Sequence, residues 1–241
     1  MGTTDPIRLV AGDQASVAML GWLARIGAAG AAELACVTGL SGRVVAARLA
    51  RLGDAGAVSS RRLLHSAPAL YTLTRAGLRA AGRDELDPVS VSTAGFGHLQ
   101  AVGRVALALR QAGRDVGGER ELRAWERLGG RPLASAEIGL ARDGTVALHR
   151  PDLVCWGGAR PIAIEVELTV KAPARLAAIV RGWARSRLVD GVVYYAAPDA
   201  MRALERALRS ESAAGRVALL RLDQAGRLGS FESTRSIPSA P

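Results

Sequence analysis

Apolar positions in the first third of the chain recur at three- and four-residue spacing. Val17, Leu20, Leu23 and Ile26 form one stripe, which Gly27 ends. A short second helix is expected over Ala31 to Val37, followed by the turn Thr38-Gly39-Leu40-Ser41. Ser41 suits an N-cap, because a serine oxygen can accept from the first free N–H groups of a helix. The helix it opens runs Gly42 to Leu52, with Val45, Leu49 and Leu52 inward and Arg43, Ala47, Arg48 and Arg51 outward. Gly53 to Val58 then turns the chain into a hairpin. Its strands are Val58 to Leu63 and Leu70 to Leu73, its loop is His65-Ser66-Ala67-Pro68, and Thr74 caps a further helix containing Leu78.

The pattern changes beyond residue 94. His98 to Gln111 carries Leu99, Val102, Val105, Ala106 and Leu109 at helical spacing. Val146 to Trp156 and Pro161 to Val170 are β-branched-rich runs joined through Gly157-Gly158, the mark of a β-hairpin. Ala172-Pro173 opens a helix to about Leu188 that buries Leu176, Ile179, Val180 and Trp183, with Arg181 and Arg185 on its other side. Gly191 to Ala196 reads as a buried strand, Met201 to Leu208 as a helix and Val217 to Leu222 as a last strand. Strands alternating with helices argue an α/β layer. The expected division is 13–83, a linker at 84–94, a second domain over 95–223, and a disordered tail at 224–241 rich in Gly, Ser and Pro.

Candidate chemistry gathers on the second hairpin. Side chains alternate across a strand, so Glu165, Glu167, Thr169 and Lys171 share one face and Val166, Leu168 and Val170 the other. A tight loop pairs Asp152 near Ala163 or Ile164 and brings its carboxylate within a residue or so of Glu165. Acids on adjacent strands repel unless a cation joins them, and hard oxygen donors suit Mg²⁺ or Mn²⁺. The alternative is a solvated face whose acids pair with Arg150 and Arg160. Lys171 is the single lysine beside thirty-one arginines, a compact ammonium placed just after the acids. His149 reads as a strand residue rather than a general base.

Pro151-Asp152 followed by Glu165-Val166-Glu167 resembles the PD-(D/E)xK nuclease-like core, a helix, a small mixed sheet and a second helix. The resemblance implies that Asp152 and Glu165 hold a metal and that Asp152, Glu165, Glu167 and Lys171 form the catalytic set. Glu167 stands where lysine is usual, as it does in some restriction endonucleases, and Lys171 would supply a migrated ammonium. A further acid often precedes the hairpin in that fold. Glu119 is the preferred candidate for this third metal ligand, ahead of Glu121 and Glu126, against a reading of all three as a charged, solvated face.

The first third makes a winged helix-turn-helix and resembles the MarR-like regulators in Leu40-Ser41, Leu49-x-x-Leu52 and Tyr71-Thr72-Leu73-Thr74-Arg75-Ala76-Gly77. In such motifs the recognition helix enters the major groove. That assigns Ser41, Arg43, Arg48 and Arg51 to the groove-facing helix, and Arg61, Arg62 and His65 to the phosphate backbone. The two parts together resemble the replication-relaxation family over roughly Ala15 to Leu222. The fold class expected is therefore α+β to α/β: an N-terminal winged helix-turn-helix and a C-terminal restriction-endonuclease-like α/β domain.

Composition narrows the partners. The net charge is +10, of which +3 falls in residues 1–92 and +7 beyond. A field of that sign favours nucleic acid and makes binding salt-sensitive. Aromatic residues are only 4% of the chain, too few for stacking platforms, which favours double-stranded over single-stranded DNA. Cys36 and Cys155 read as small buried hydrophobes with neither zinc nor disulfide spacing, and Gly117-Gly118 and Gly129-Gly130 lack the strand-to-helix context of a phosphate loop. No apolar run reaches membrane-spanning length, so a cytoplasmic protein without membrane association is expected. Three functions follow: a double-stranded DNA-binding protein of mobile-element replication, transfer or transcription control with a nuclease-like second domain whose activity is left open, an active Mg²⁺-dependent endonuclease, or a protein-interaction module. A homodimer is left open as the state of assembly.

Overall fold

Aspartate and glycine set the limits of the first helix. Asp13 caps α1 (Gln14–Ile26) by accepting from the N–H groups of Ala15 and Ser16, and Gly27 at φ +95° ends it. A computed structural model of the chain describes residues 12–63 and 67–222. Those residues form a mixed α+β protein that clusters into two compact units, divided between Leu107 and Ala108.

The first unit continues with β1 (Ala28–Gly30), α2 (Ala31–Thr38), α3 (Gly42–Asp54), β2 (Val58–Arg61), β3 (Leu70–Leu73), α4 (Arg75–Ala80) and the start of α5 (Thr93–Gln111). The three strands form an antiparallel sheet in the order β1-β3-β2, with Ala28 opposite Thr72 and Val58 opposite Leu73. β1 escaped the sequence reading because Ala-Ala-Gly carries none of the β-branched signal. Thr74 caps α4 by accepting from Gly77 N. A Cβ on Gly77 would fall 2.0 Å from the Ala57 carbonyl oxygen, so the helix rests on the turn before β2 only because residue 77 is glycine.

Three expectations change here. Val17 lies 57% exposed, and the buried side of α1 is Met19, Leu20, Trp22, Leu23 and Ile26, a face rotated from the assumed stripe. Ser41 does occupy the N-cap of α3, but its hydroxyl bonds to no helix N–H; the link is Val45 N to the Ser41 carbonyl. Cys36 is exposed, while Cys155 is buried as expected. In the stretch 84–94, Leu86 and Val91 are buried, Val91 beside Ala28, Leu70 and Phe96.

The second unit holds β4 (Asp115–Gly118), α6 (Glu119–Gly129), β5 (Ala136–Leu140), β6 (Val146–His149), β7 (Leu153–Trp156), β8 (Ile162–Glu167), α7 (Pro173–Arg185), β9 (Gly191–Ala196), α8 (Pro198–Ser210) and β10 (Val217–Arg221). Five strands make one sheet in the order β10-β9-β8-β7-β4. β8, β9 and β10 run parallel, while β7 and β4 run antiparallel to their neighbours. β5 and β6 form a separate pair. One face of the large sheet buries Val154, Ala163, Val192, Tyr194 and Ala196 with Leu176, Ile179, Val180 and Trp183 of α7 and Leu204 of α8.

The expected strand Val146 to Trp156 is two strands in two sheets. Pro151 lacks an N–H to donate, and the chain changes partner across Arg150-Pro151-Asp152. The strand after the turn also stops early, at Glu167, so Thr169 and Lys171 do not lie on its face. β4 and α6 were not foreseen. Gly117-Gly118 does lead a strand into a helix, contrary to the sequence reading, yet the helix start is already satisfied: Glu121 accepts from Gly118 N and the Asp152 carbonyl from Glu119 N. Glycine at 182 lets α7 lie against β5, since a Cβ there would sit 2.6 Å from the Glu137 carbonyl oxygen.

Candidate functional site

The β7–β8 ladder aligns Leu153 with Ile164 and Val154 with Ala163, so Asp152 comes one step further on, across from Glu165. That is one residue beyond the expected register. There Asp152 acts as a side-chain substitute for a strand: its Oδ2 accepts from Val166 N at 2.7 Å. Glu165 and Glu167 share the inner face with Ala163, and both are buried, 4% and 5% exposed. They therefore do not form a solvated face. Neither expected arginine answers them: Arg150 pairs with Glu126, and Arg160 with Asp190.

Burying a carboxylate without compensation costs several kcal/mol, so each one must find donors. Glu165 Oε1 lies 2.7 Å from His149 Nε2 and accepts from Trp183 Nε1 at 3.0 Å. The two rings pack edge-on, 5.8 Å between centroids. Burial pushes the Glu165 carboxyl above its ordinary value, opposed by the His149 hydrogen bond and charge and by the Lys171 ammonium, and reinforced by Asp152. Glu167 forms an ion pair with Lys171. Lys171 is itself pulled below its ordinary value by burial and by Arg175, against the attraction of Glu165 and Asp152. The lone lysine thus stands among all three acids although it is off the strand.

Tyr194, paired in register with Glu165, brings the last polar group. The residue is 1% exposed, and its hydroxyl is pushed well above its ordinary value by burial and by the charges of Glu165 and Asp152. It lies near the Trp183 N–H yet closes no well-aligned hydrogen bond among the described residues.

As placed, these residues do not make a metal cage. Among the described residues, no three His, Cys, Asp or Glu side chains converge at metal-binding spacing. The reasons are local: one Glu165 oxygen is committed to His149 and Trp183, Glu167 faces Lys171, and Asp152 Oδ2 faces Val166 N. Glu119 is on the surface, paired with Arg123 one helical turn away. Its neighbours are the buried acids of α6, contrary to the solvated-face reading. Glu126 accepts from Arg150 Nε at 2.8 Å, Ser135 Oγ at 2.6 Å and Leu133 N at 2.9 Å, tying α6 to the segment that carries His149 and Asp152.

His149, Trp183 and Tyr194 were not foreseen as site residues. Helical spacing made Trp183 a core residue, which it also is, and no short motif links a histidine three positions before an aspartate to a glutamate in the next strand.

In the first unit the arginines of α3 divide. Arg43 and Arg51 are exposed, as are Arg61 at the end of β2 and Arg62 after it, and none of the four has an ion-pair partner among the described residues. Ser41, at the start of the same helix, is exposed as well. Arg48 instead turns back on α1, its Nη1 2.5 Å from Asp13 Oδ2 and 3.4 Å from Ser16 Oγ. Burial alone would raise the Asp13 carboxyl, but hydrogen bonds from Ser16 and Arg48 outweigh it and hold the group at about 2. The outward placement read from helical spacing holds only in part for Arg48, which keeps 27% of its side chain exposed while pairing with Asp13. His65 lies outside the described residues.

A buried acid also sits in this unit. Glu33 accepts from Trp22 Nε1, and burial raises its carboxyl to about 7 against that hydrogen bond and the Arg104 charge. The chain is an α+β protein with an arginine face in one unit and an internally answered acid cluster in the other. No protein-family model matches it, and no curated protein matches it in sequence. No helix among the described residues is long and apolar enough to cross a membrane.

Proposed function

We propose that this chain is a double-stranded DNA-binding protein whose first unit is a winged helix-turn-helix and whose second unit is a nuclease-like domain without cleavage activity. The observation that carries the reading is the exposed arginine set Arg43 and Arg51 on α3, Arg61 at the end of β2 and Arg62 just after it, none of which has an ion-pair partner among the described residues. α2, the turn Gly39-Leu40-Ser41 and α3 give the two-helix motif, with β2 and β3 as the wing. α3 is then the groove-reading helix, with Ser41, Arg43 and Arg51 toward base edges and Arg61 and Arg62 toward phosphates. Arg48 acts from behind, fixing α3 to α1.

The set α5, β4, β7, β8, α7 and β9, with α6, β5 and β6 inserted between β4 and β7, supports the nuclease-like reading, with Asp152 just before β7 and Glu165 within β8. The pairing of these two units is what resembles the replication-relaxation family, and it suits a cytoplasmic protein of mobile-element replication, transfer or transcription control. Fluorescence anisotropy with labelled duplexes and single strands of equal length tests the reading. Tighter binding to duplex, lost on replacing Arg43 and Arg51, supports it; equal binding to both forms defeats it.

One observation favours a second reading, an active Mg²⁺- or Mn²⁺-dependent endonuclease: the ammonium of Lys171 stands among Asp152, Glu165 and Glu167. Cleavage of supercoiled plasmid that EDTA stops and Asp152→Asn abolishes would establish it.

A further inference from the structure

We propose that the groove between the β5–β6 pair and the end of α7 is a docking site for an acidic segment of another protein. Its lining belongs to the second unit, so the claim goes beyond duplex binding by the first and stands or falls apart from it. The groove measures about 630 Å³, and its apolar wall is Leu140, Val146 and Leu188. Those side chains are 73%, 50% and 37% exposed, so three large hydrophobic residues that face solvent share one place. A single exposed apolar residue needs no partner, whereas a cluster of them in a cleft marks a contact surface. Leu140 stands directly opposite Val146 in the ladder, after a shift of register across Gly139 at φ +125°. Residues paired in this way point to the same face.

Charge decides what fits there. Arg185 and Arg187 line the groove at the end of α7; both are exposed, and neither has an ion-pair partner among the described residues. Two acids of the same unit are already engaged: Asp190 pairs with Arg160, and Glu211 with Arg181 through hydrogen bonds of 2.7 and 2.9 Å. Arg185 adds its charge to the field at Glu211 without bonding to it. The backbone behind the two arginines is held, since Arg160 Nη1 donates to the Arg187 carbonyl at 2.8 Å and Leu188 N to Ser186 Oγ at 3.3 Å. A surface fixed in this way loses little freedom on binding. An apolar side chain against Leu140, Val146 and Leu188, with a carboxylate against Arg185 and Arg187, answers both halves of the groove. A DNA backbone answers only one, because phosphates gain nothing from the apolar wall and are repelled by Glu137 of β5, which also lines it. A second copy of a chain with net charge +10 approaches against its own field.

The experiment titrates the full chain into short fluorescein-labelled peptides read by anisotropy. One carries leucine and phenylalanine among glutamates, a second has lysine for each glutamate, and a third has serine for each apolar residue. Wild type should bind the first about tenfold more tightly than either control, the size of effect expected when one anchor of a small interface is removed. Leu140→Ser, at a side chain that is mostly in solvent, should erase the advantage over the serine peptide. Arg185→Glu/Arg187→Glu should transfer the preference to the lysine peptide. Failure of wild type to bind the first peptide, or equal affinity for the first and third, would overturn the proposal. So would variants that stay folded by circular dichroism and bind as wild type does. A concentration-dependent dimer in analytical ultracentrifugation that Leu140→Ser dissolves would give the groove to a second copy instead. Duplex affinity lost in Arg185→Glu/Arg187→Glu but kept in Leu140→Ser, with no peptide preference, would give it to nucleic acid; either result contradicts the claim.

Discussion

The arginines of α3 and β2 and the acids of β8 face opposite surroundings, although the sequence presents each simply as a run of charges. Arg43, Arg51, Arg61 and Arg62 stand in water, where an unpaired charge costs almost nothing and remains available to a partner. Glu165 and Glu167 are buried, and His149, Trp183 and Lys171 supply their donors from within the second unit. Charge left unanswered at the surface is directed outward, whereas charge answered in the interior fixes the shape of its own domain. Arg48 stands between the two cases, paired with Asp13 across two helices yet still partly exposed.

The largest effect expected from breaking this arrangement is at Glu126. Glu126→Ala strands Arg150 and the N–H of Leu133, and removing one partner of a buried pair should destabilise the second unit by about 3 kcal/mol. Urea melts followed by tryptophan fluorescence measure it; a loss below about 1 kcal/mol would mean that the interior charges are not a framework.

Glu33 sharpens the comparison, because it is a buried acid in the unit whose arginines face outward. Its folded-state carboxyl is raised from 4.5 to about 7, so the folded state holds a proton that the unfolded chain releases. Stability should be greatest below about pH 4.5, fall as pH rises toward 7 and level off above it, a loss of about 3 kcal/mol for a shift of this size. Glu33→Gln should flatten that slope in thermal melts between pH 5 and 8. An unchanged slope assigns the dependence to another group.

Smaller effects follow at two contacts. Gly182→Ala should cost about 1–3 kcal/mol, because the added methyl meets the Glu137 carbonyl oxygen and forces α7 away from β5. Arg48→Ala should cost at most about 1 kcal/mol of stability, since the pair is partly exposed, and should weaken duplex binding less than Arg43→Ala. Equal losses of duplex affinity for the two variants would return Arg48 to the groove-facing set.

What could be read ahead of the structure was what repeats. The helical periods gave α3, α5 and α7, and the Gly-Gly turn between β-branched runs gave the β7–β8 hairpin and brought Asp152 close to Glu165. What stayed hidden depends on residues far apart in the chain. Whether Glu165 faces water or Trp183 is settled by how α7 packs, which no pattern within β8 encodes. β1 and β4 were missed because Ala-Ala-Gly and Asp-Val-Gly-Gly carry little strand propensity and are held by their neighbours' ladders. Lys171 was legible as an anomaly of composition. Its place among three acids was not, because the strand ends four residues before it.

The most direct test of the central claim, that the unanswered arginines of the first unit are directed at duplex DNA, is the salt dependence of duplex affinity. Wild type and Arg61→Ala/Arg62→Ala would be compared by fluorescence anisotropy from about 50 to 200 mM salt, with Lys171→Met as the second-unit control. Each phosphate contact contributes about −0.9 to the slope of log affinity against log salt, so the double variant should lose roughly 1.8 of that slope. The control should retain the wild-type slope. Equal slopes for all three proteins, or a loss confined to Lys171→Met, would contradict the claim.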